Sequence, residues 1–593
     1  MLSRRAVLAA VPLTVTAALV PAPRAAAAPR NELPEAPLAG RFDQPQRGFA
    51  PERTVLRDGT PEEVGLDPTA IKTALDKVAA YTVPDPATGH PLYSGQVTLL
   101  AHDGVVVGEN AAGYALRYAD QQGTPLPDDQ CIEMRTDTIF DLASLSKLFT
   151  SIVAMQQIQS GRLDLNGRVV SYLPEYASNA KGDITIEMLL THTSGLPADP
   201  TPALWAHPDL PSRVQAILDT VPQYEAGSTY LYSDLNMLSL QLVLERVTGR
   251  TLDVLVRDGI TVPLRMHDTM YNPPASLKPR ITAEEYEIGP GEPQRGLVWG
   301  QVHDENAWAM NGVAGHAGVF STVRDMAVLA QCLLNGGIYA GHRILSEESV
   351  TRMMTNYNQR FPGDSHGLGF ELDQRWYMGR IDSTATMGHT GFTGTTIVID
   401  PLSRSIALQF SNRVHPTRNW GSTNPSRREA ADGLANAMAV RAPGGGRSWY
   451  SGIPDAGTAT LSTTVTPRSG ALQVNWTGFV DTEPGYDLLT LQSSTDFGST
   501  WQTVPVSATG DGAPSGAVSS LSGGSRAWWQ VTARLPATTA PVSLRWHYAT
   551  DTLYTGRGVN VAHVRVHDGA GLLLDGDRTP RAFTAEGFTL TSR

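Results

Sequence analysis

Lysine is scarce in this sequence. Of 46 basic residues only Lys72, Lys77, Lys147, Lys181 and Lys278 are lysines, so arginine is the default cation. Arginine cannot be deprotonated inside a protein, so among these 46 cations only a lysine can serve as a proton acceptor. Cysteine is scarcer still. Cys131 and Cys332 are too few for a disulfide framework and too far apart in sequence for a clustered metal site. Cys332 lies in an apolar helical stretch and reads as a buried free thiol, although export would permit a bridge to Cys131. No His-Glu-x-x-His occurs among the 14 histidines, and neither a metal nor a cofactor is expected. Positive charge is outweighed, and the net charge of −12 argues against a nucleic acid or an anionic membrane as partner. Beyond Val20 no apolar run reaches the ~18 residues of a spanning helix, so no transmembrane helix is expected.

What is present begins with a targeting segment. Arg4-Arg5 precede the apolar run Ala6 to Val20, and Ala25-Ala26-Ala27 supply a small-residue cleavage site. Ser3-Arg4-Arg5-Ala6-Val7-Leu8 has the form of a twin-arginine signal. Residues 1–28 are therefore expected to be a signal peptide, and the mature chain to be secreted.

Residues 29–60 are rich in proline, alanine and arginine and read as an extended lead-in. From residue 61 the pattern becomes regular. Asp67-Pro68 caps a helix over Thr69 to Tyr81, and Gln96 to Val107 reads as a hairpin turning at His102-Asp103-Gly104. Helical signals dominate from Leu163 to Tyr271, with candidates at Ser212 to Val221, Asp234 to Val247 and Leu252 to Ile260. Strand character returns at His316 to Ser321, followed by helices at Arg324 to Asn335 and Ser346 to Met354. Thr386 to Asp400 and Ser405 to Asn412 read as one strand pair, and Arg427 to Val440 as a closing helix. This order predicts an α+β domain over 61–441, an antiparallel sheet with flanking helices and a helical subdomain. Ala442-Pro-Gly-Gly-Gly446 opens a linker over 442–454, and the short alternating runs of 455–593 predict an all-β sandwich.

Chemistry concentrates around Phe140-Asp-Leu-Ala-Ser144-Leu-Ser-Lys147-Leu-Phe149. Leu148, Phe149, Ile152, Val153, Met155 and Ile158 recur at helical spacing, so Ser144 falls at a helix start with Lys147 on its face. A serine hydroxyl needs a base, and a lysine serves only if burial and neighbours lower its pKa. The helix start also favours the negative charge of an oxyanion. Ser178-Asn-Ala-Lys181 has the same spacing but sits in a polar stretch without an apolar helix, and reads as a loop. Tyr232-Ser233-Asp234 stands at the mouth of a second helix, where a phenol near an ammonium can relay a proton. Gly388-His389-Thr390-Gly391 lies on a strand whose glycines admit a substrate close to the backbone.

These three stretches together resemble the serine β-lactamase and penicillin-binding protein superfamily. The resemblance is to the branch of class C β-lactamases, D-alanyl-D-alanine carboxypeptidases and esterases. Thr138-Ile-Phe-Asp-Leu-Ala-Ser144, Leu189-Leu-Thr-His-Thr-Ser-Gly-Leu-Pro197 and Gly312-Val-Ala-Gly-His-Ala-Gly-Val-Phe-Ser321 extend it over about residues 60 to 440. The resemblance implies an acyl-enzyme on Ser144, with Lys147 and Tyr232 handling the proton. It places the oxyanion on the backbone N–H groups of Ser144 and Phe392, and substrate on Asp234, His389, Thr390 and Gly391. Two positions depart from the family pattern. Asp234 stands where asparagine is usual, and a carboxylate cannot donate as an amide does. His389 replaces the lysine common in β-lactamases, which favours a peptidase or esterase. The expected activity is D-alanyl-D-alanine carboxypeptidase-like cleavage of a small-molecule or peptidoglycan-peptide substrate. The alternatives are an esterase on small acyl esters, a β-lactamase or a non-catalytic wall-binding protein. Tyr486 to Trp501 and Asp551 to Val566 resemble the jelly-roll accessory domains of some secreted hydrolases, which implies either a cell-wall or carbohydrate ligand or a passive stabilising domain. The paired aspartates of such domains are Ala562-His563 here.

Overall fold

The structure, a computed structural model, describes residues 40–593; the expected signal peptide and the start of the lead-in lie outside the described residues. Residues 41–56 form an irregular segment with turns at 42–43 and 52–53 rather than the extended lead-in expected, and its first residue bridges in parallel to Ala439. The expected first helix is α1 (Pro68–Ala80), capped by the Asp67 carboxylate, which accepts from the Thr69 N–H at 2.9 Å.

The main sheet of the first domain has eight strands. They are β1 (Arg57–Asp58), β2 (Gly95–His102), β3 (Val105–Leu116), β4 (Ile132–Glu133), β5 (Glu371–Leu372), β6 (Met387–Thr390), β7 (Thr396–Asp400) and β8 (Ser405–Ser411). Their spatial order is β1-β3-β2-β8-β7-β6-β5, with β4 attached to β3. All pairs are antiparallel except β1 with β3. Two alternating faces are buried. Val97, Leu99, Ile397 and Ile399 pack towards α2 (Ser146–Gln159) and α4 (Val323–Leu334), while Leu100, Val398 and Ala407 pack towards α1 and α5 (Asn424–Ala437).

The run read as one strand over Thr386 to Asp400 is instead a hairpin, β6 and β7, turning at residues 391–395. Gly394 has φ +110, open to glycine alone, and the hydroxyls of Thr393 and Thr395 leave the ladder to bond other carbonyls. The helical subdomain holds α3 (Asp234–Thr248), ended by Gly249 at φ +67 as expected. The expected Leu252 to Ile260 helix keeps α-geometry only to Val256 and then widens into a π-turn over Arg257–Thr261. The expected Ser212 to Val221 helix begins earlier, at Leu210, because Asp209 caps it.

The C-terminal region is two packed antiparallel sheets, as expected of a sandwich. One centres on β13 (Trp528–Leu535), β11 (Leu472–Asp481), β15 (Gly558–Asp568) and β9 (Ser448–Ser451). The other centres on β12 (Leu488–Ser494), β14 (Val542–Ala549) and β10 (Thr458–Val465). Strand β9 falls within the span expected as linker, since it pairs with β15 and joins the sandwich sheet. Arg526 of the sandwich is buried against the first domain: it meets Asp400 at 2.6 Å, donates to Ile381 O and covers the Phe42 ring at 4.3 Å. Trp528 Nε1 donates to Asp43 at 2.8 Å, and Phe479 joins the core around α1 and α5. Cys131 and Cys332 are both free thiols.

Candidate active site

Ser144 sits in a 3-10 turn, Ala143–Leu145, that runs directly into α2. Ala143 is held at φ +47, a conformation that costs a non-glycine residue about 1–3 kcal/mol and here aims the next side chain outwards. Asp141 supports the turn. Its carboxylate, wholly buried, accepts from Ala143 N–H at 2.9 Å and His303 N–H at 2.6 Å.

Lys147, one helical turn on, is fully buried. Its ammonium donates to Ser144 Oγ at 2.9 Å and to His316 O at 3.1 Å, and it lies 2.7 Å from Asp234 Oδ1. Burial alone would pull the lysine pKa down, but Asp234 and Tyr232 more than offset it and hold Lys147 above its ordinary value. The lowered pKa that a free lysine base requires is therefore not what this site has. Asp234, expected on the substrate, is the partner of Lys147 in the structure. Tyr232 places its ring 4.8 Å from Lys147 Nζ. Burial pushes its phenol up to about 12, with the Lys147 charge opposing.

The β6–β7 turn is fastened to the Ser144 turn. Thr393 Oγ1 donates to Asp141 O at 2.7 Å and Thr395 Oγ1 to Leu142 O at 2.9 Å. Gly391 makes this approach feasible, because a Cβ there would stand 2.5 Å from Leu142 O and 2.1 Å from Thr395 Oγ1. The turn thereby brings Phe392 beside Ser144, and both line one cavity of about 530 Å³ with Tyr232, His389, Thr390 and Gly391.

His389 is neutral. Burial and then the Lys147 charge push its imidazole down to about 3. Its Nδ1 lies 2.8 Å from Thr390 O, which fixes the proton there and leaves Nε2 a buried, unpartnered lone pair.

Several participants were not legible in the sequence. His316 Nε2 bonds Asp304 Oδ1 at 2.8 Å, and the two aspartates Asp304 and Asp234 raise its pKa against the pull of burial. Asp234, Asp304 and His316 converge closely enough to hold a metal ion. Lys147 already supplies the cation on Asp234, so charge is balanced by the protein itself. A second convergence, Glu483, Asp487 and Asp551, lies in the sandwich rather than at Ala562-His563. Glu483 and Asp487 share one turn, and only the fold brings Asp551 to it. His563 instead bonds Asp577 and Pro443 O. Arg413, Arg418, Arg427 and Glu371 complete the cavity wall, each far from the recognised motifs in sequence.

The family described as Beta-lactamase matches residues 92–432, more than half of the chain. The chain belongs to the beta-lactamase family. Among its relatives is a protein of Salmonella typhimurium named "Putative D-alanyl-D-alanine carboxypeptidase", 31% identical over 410 residues, covering 64% of this chain and 90% of the relative. An Escherichia coli K12 protein of the same name is 32% identical over 403 residues, covering 63% of this chain and 89% of its own. Similar solved structures include "EstCE1, a hydrolase with promiscuous acyltransferase activity", at 20% identity and TM-score 0.48. A penicillin-binding protein homolog from Caulobacter crescentus follows at 21% and 0.47. Each covers 62% of this chain and is itself 98% covered. Within this beta-lactamase family member the three motifs meet at one cavity, and the sandwich lies outside the matched span.

Proposed function

We propose that this protein is an exported serine hydrolase working through an acyl-enzyme on Ser144, with D-alanyl-D-alanine carboxypeptidase-like cleavage as its activity. The observation that carries the reading is the Lys147 ammonium 2.9 Å from Ser144 Oγ, in a cavity shared with Tyr232 and the His389 strand. Ser144 Oγ attacks the scissile carbonyl carbon. Its proton passes through the coupled Tyr232, Lys147 and Asp234 set to the leaving nitrogen, and the C–N bond breaks. The N–H groups of Ser144 and Phe392 hold the oxyanion, and Thr390 and Gly391 guide the substrate along the strand. Water then hydrolyses the ester and frees Ser144. The relatives' printed names favour a peptide substrate.

One observation favours a second reading, an esterase on small acyl esters. Asp234 is engaged by Lys147 and carries no N–H to offer a peptide carbonyl. Incubation with a penicillin, followed by intact-mass measurement and peptide mapping, separates the outcomes. A stable adduct on Ser144 supports the peptidase. Intact antibiotic without adduct moves the reading to the esterase, and an adduct elsewhere overturns the nucleophile. For the sandwich, a wall or carbohydrate ligand is supported by a cavity of about 390 Å³ beside Trp449 and Phe583. Failure of the full chain to sediment with insoluble peptidoglycan or polysaccharide would remove that role.

A further inference from the structure

His303 lines no part of the Ser144 cavity, yet it reaches both stretches whose N–H groups are proposed to hold the oxyanion. It stands two residues before the short helix Glu305–Ala309 and is 3% exposed. On the Ser144 side its N–H donates to Asp141 Oδ2 at 2.6 Å, while Asp141 Oδ1 accepts from Ala143 N–H at 2.9 Å. One carboxylate thus ties His303 to the residue before Ser144. On the other side its imidazole lies nearly parallel to the Phe392 ring, with centroids 5.8 Å apart and 16° between the planes. Aromatic pairs favour such offset stacking at centroid separations of about 4.5–7 Å.

Phe392 needs such a hold. Its ring is 48% exposed, so the hydrophobic core does little to orient it. The residues after it are fastened by their own bonds, Thr393 Oγ1 to Asp141 O and Thr395 Oγ1 to Leu142 O. The orientation of Phe392 itself is left to its ring and carbonyl. The guanidinium groups of Arg413 and Arg418 lie 5.0 and 5.4 Å from the ring centroid, and Arg413 also donates to Phe392 O at 3.0 Å. The imidazole is fixed in turn. His303 Nε2 donates to Glu285 Oε2 at 3.1 Å. The same buried carboxylate accepts from Arg418 Nε at 2.6 Å and Arg418 N–H at 3.0 Å. One glutamate therefore sets two of the groups that press on the Phe392 ring.

We propose that His303 is a positioning residue that keeps the Phe392 N–H in register with that of Ser144, its ring acting on one and Asp141 on the other. This rests on the reading of Ser144 as the nucleophile and of those two N–H groups as oxyanion donors. A donor acts only at hydrogen-bond distance from the point where charge develops, and a shift of about 1 Å can cost about 10²-fold in rate. Loss of the imidazole therefore weakens binding of the transition state and leaves binding of the substrate almost unchanged.

Phenylboronic acid is the probe. Ser144 Oγ bonds to boron and gives up its proton, and a boron-bound oxygen then takes the oxyanion position. Calorimetry gives its affinity, and hydrolysis of p-nitrophenyl acetate gives kcat and KM, for the full chain and each variant. His303→Gln should weaken boronate binding and lower kcat, each by at least about tenfold, with KM nearly constant. His303→Phe restores a flat ring and should recover most of both losses. Phe392→Ala should lose as much as His303→Gln, and the double variant no more than either, because both remove one contact. Circular dichroism melts show that each variant is folded. If His303→Gln is not, Phe392→Ala removes the same contact from the exposed side and carries the test. Unchanged boronate affinity in either variant, a loss confined to KM, additive losses in the double variant or no recovery in His303→Phe overturns the proposal. Wild type that binds no boronate, or binds it equally well after Ser144→Ala, overturns instead the reading of Ser144 beneath it.

Discussion

Lys147 Nζ and Asp234 Oδ1 stand 2.7 Å apart, with the lysine fully buried and the aspartate side chain 16% exposed. Asparagine, usual at this position, would leave the lysine without a counter-ion. Here the pair holds the proton on Lys147, and on the proposed path the activation of Ser144 would depend on Tyr232, Lys147 and Asp234 together.

Asp234→Asn is expected to move the rising limb of the pH profile of kcat/KM to lower pH. Asp234 raises the pKa of both Lys147 and Tyr232, so removing its charge lowers both. Whichever of the two must lose its proton then does so at lower pH. A limb that stays in place, or moves up, would separate Asp234 from the proton path.

Lys147→Arg keeps a positive charge but not a group that can give up its proton. Loss of general-base assistance should lower kcat by about 10²–10⁴-fold. Single-turnover acylation measures it. Acylation at the wild-type rate would show that Lys147 acts by charge alone.

Gly391→Ala should fold yet acylate poorly. The added Cβ would press on Leu142 O from 2.5 Å, in backbone that cannot swing aside, and would push Phe392 away from Ser144. Loss of one oxyanion donor costs about 10²–10³ in kcat. The melting curve and the acylation rate, taken together, distinguish this from simple unfolding.

At the domain interface, Arg526→Met should destabilise the whole protein by about 3–5 kcal/mol, since it leaves Asp400 buried without its cation. The double variant Arg526→Met, Asp400→Leu should recover much of that loss. Denaturant unfolding gives both values. A single variant as stable as wild type would mean that water reaches Asp400.

Much of this protein is legible without coordinates. The helical spacing after Lys147, the Asp67 and Asp234 helix starts, Gly249 as a stop and the alternating strands of the sandwich are local patterns, set by each residue's near neighbours along the chain. The serine, lysine, tyrosine and histidine motifs could be read because each has a recognisable form within a few residues. Local reading failed where a long-range bond overrode it. The run Thr386 to Asp400 looks like one strand until Thr393 and Thr395 reach across to the Ser144 turn. The linker shortened because β9 found partners about a hundred residues later in the sequence. The protonation of the site was beyond the sequence altogether. Whether Lys147 is raised or lowered depends on the balance between burial and the Asp234 charge, and that on distances fixed by packing α2 against α3. The sequence alone determined which chemical groups this protein has and the elements that carry them. Only the tertiary structure decided which charges meet, because electrostatic energy depends on separation and burial, and neither quantity is written along the chain.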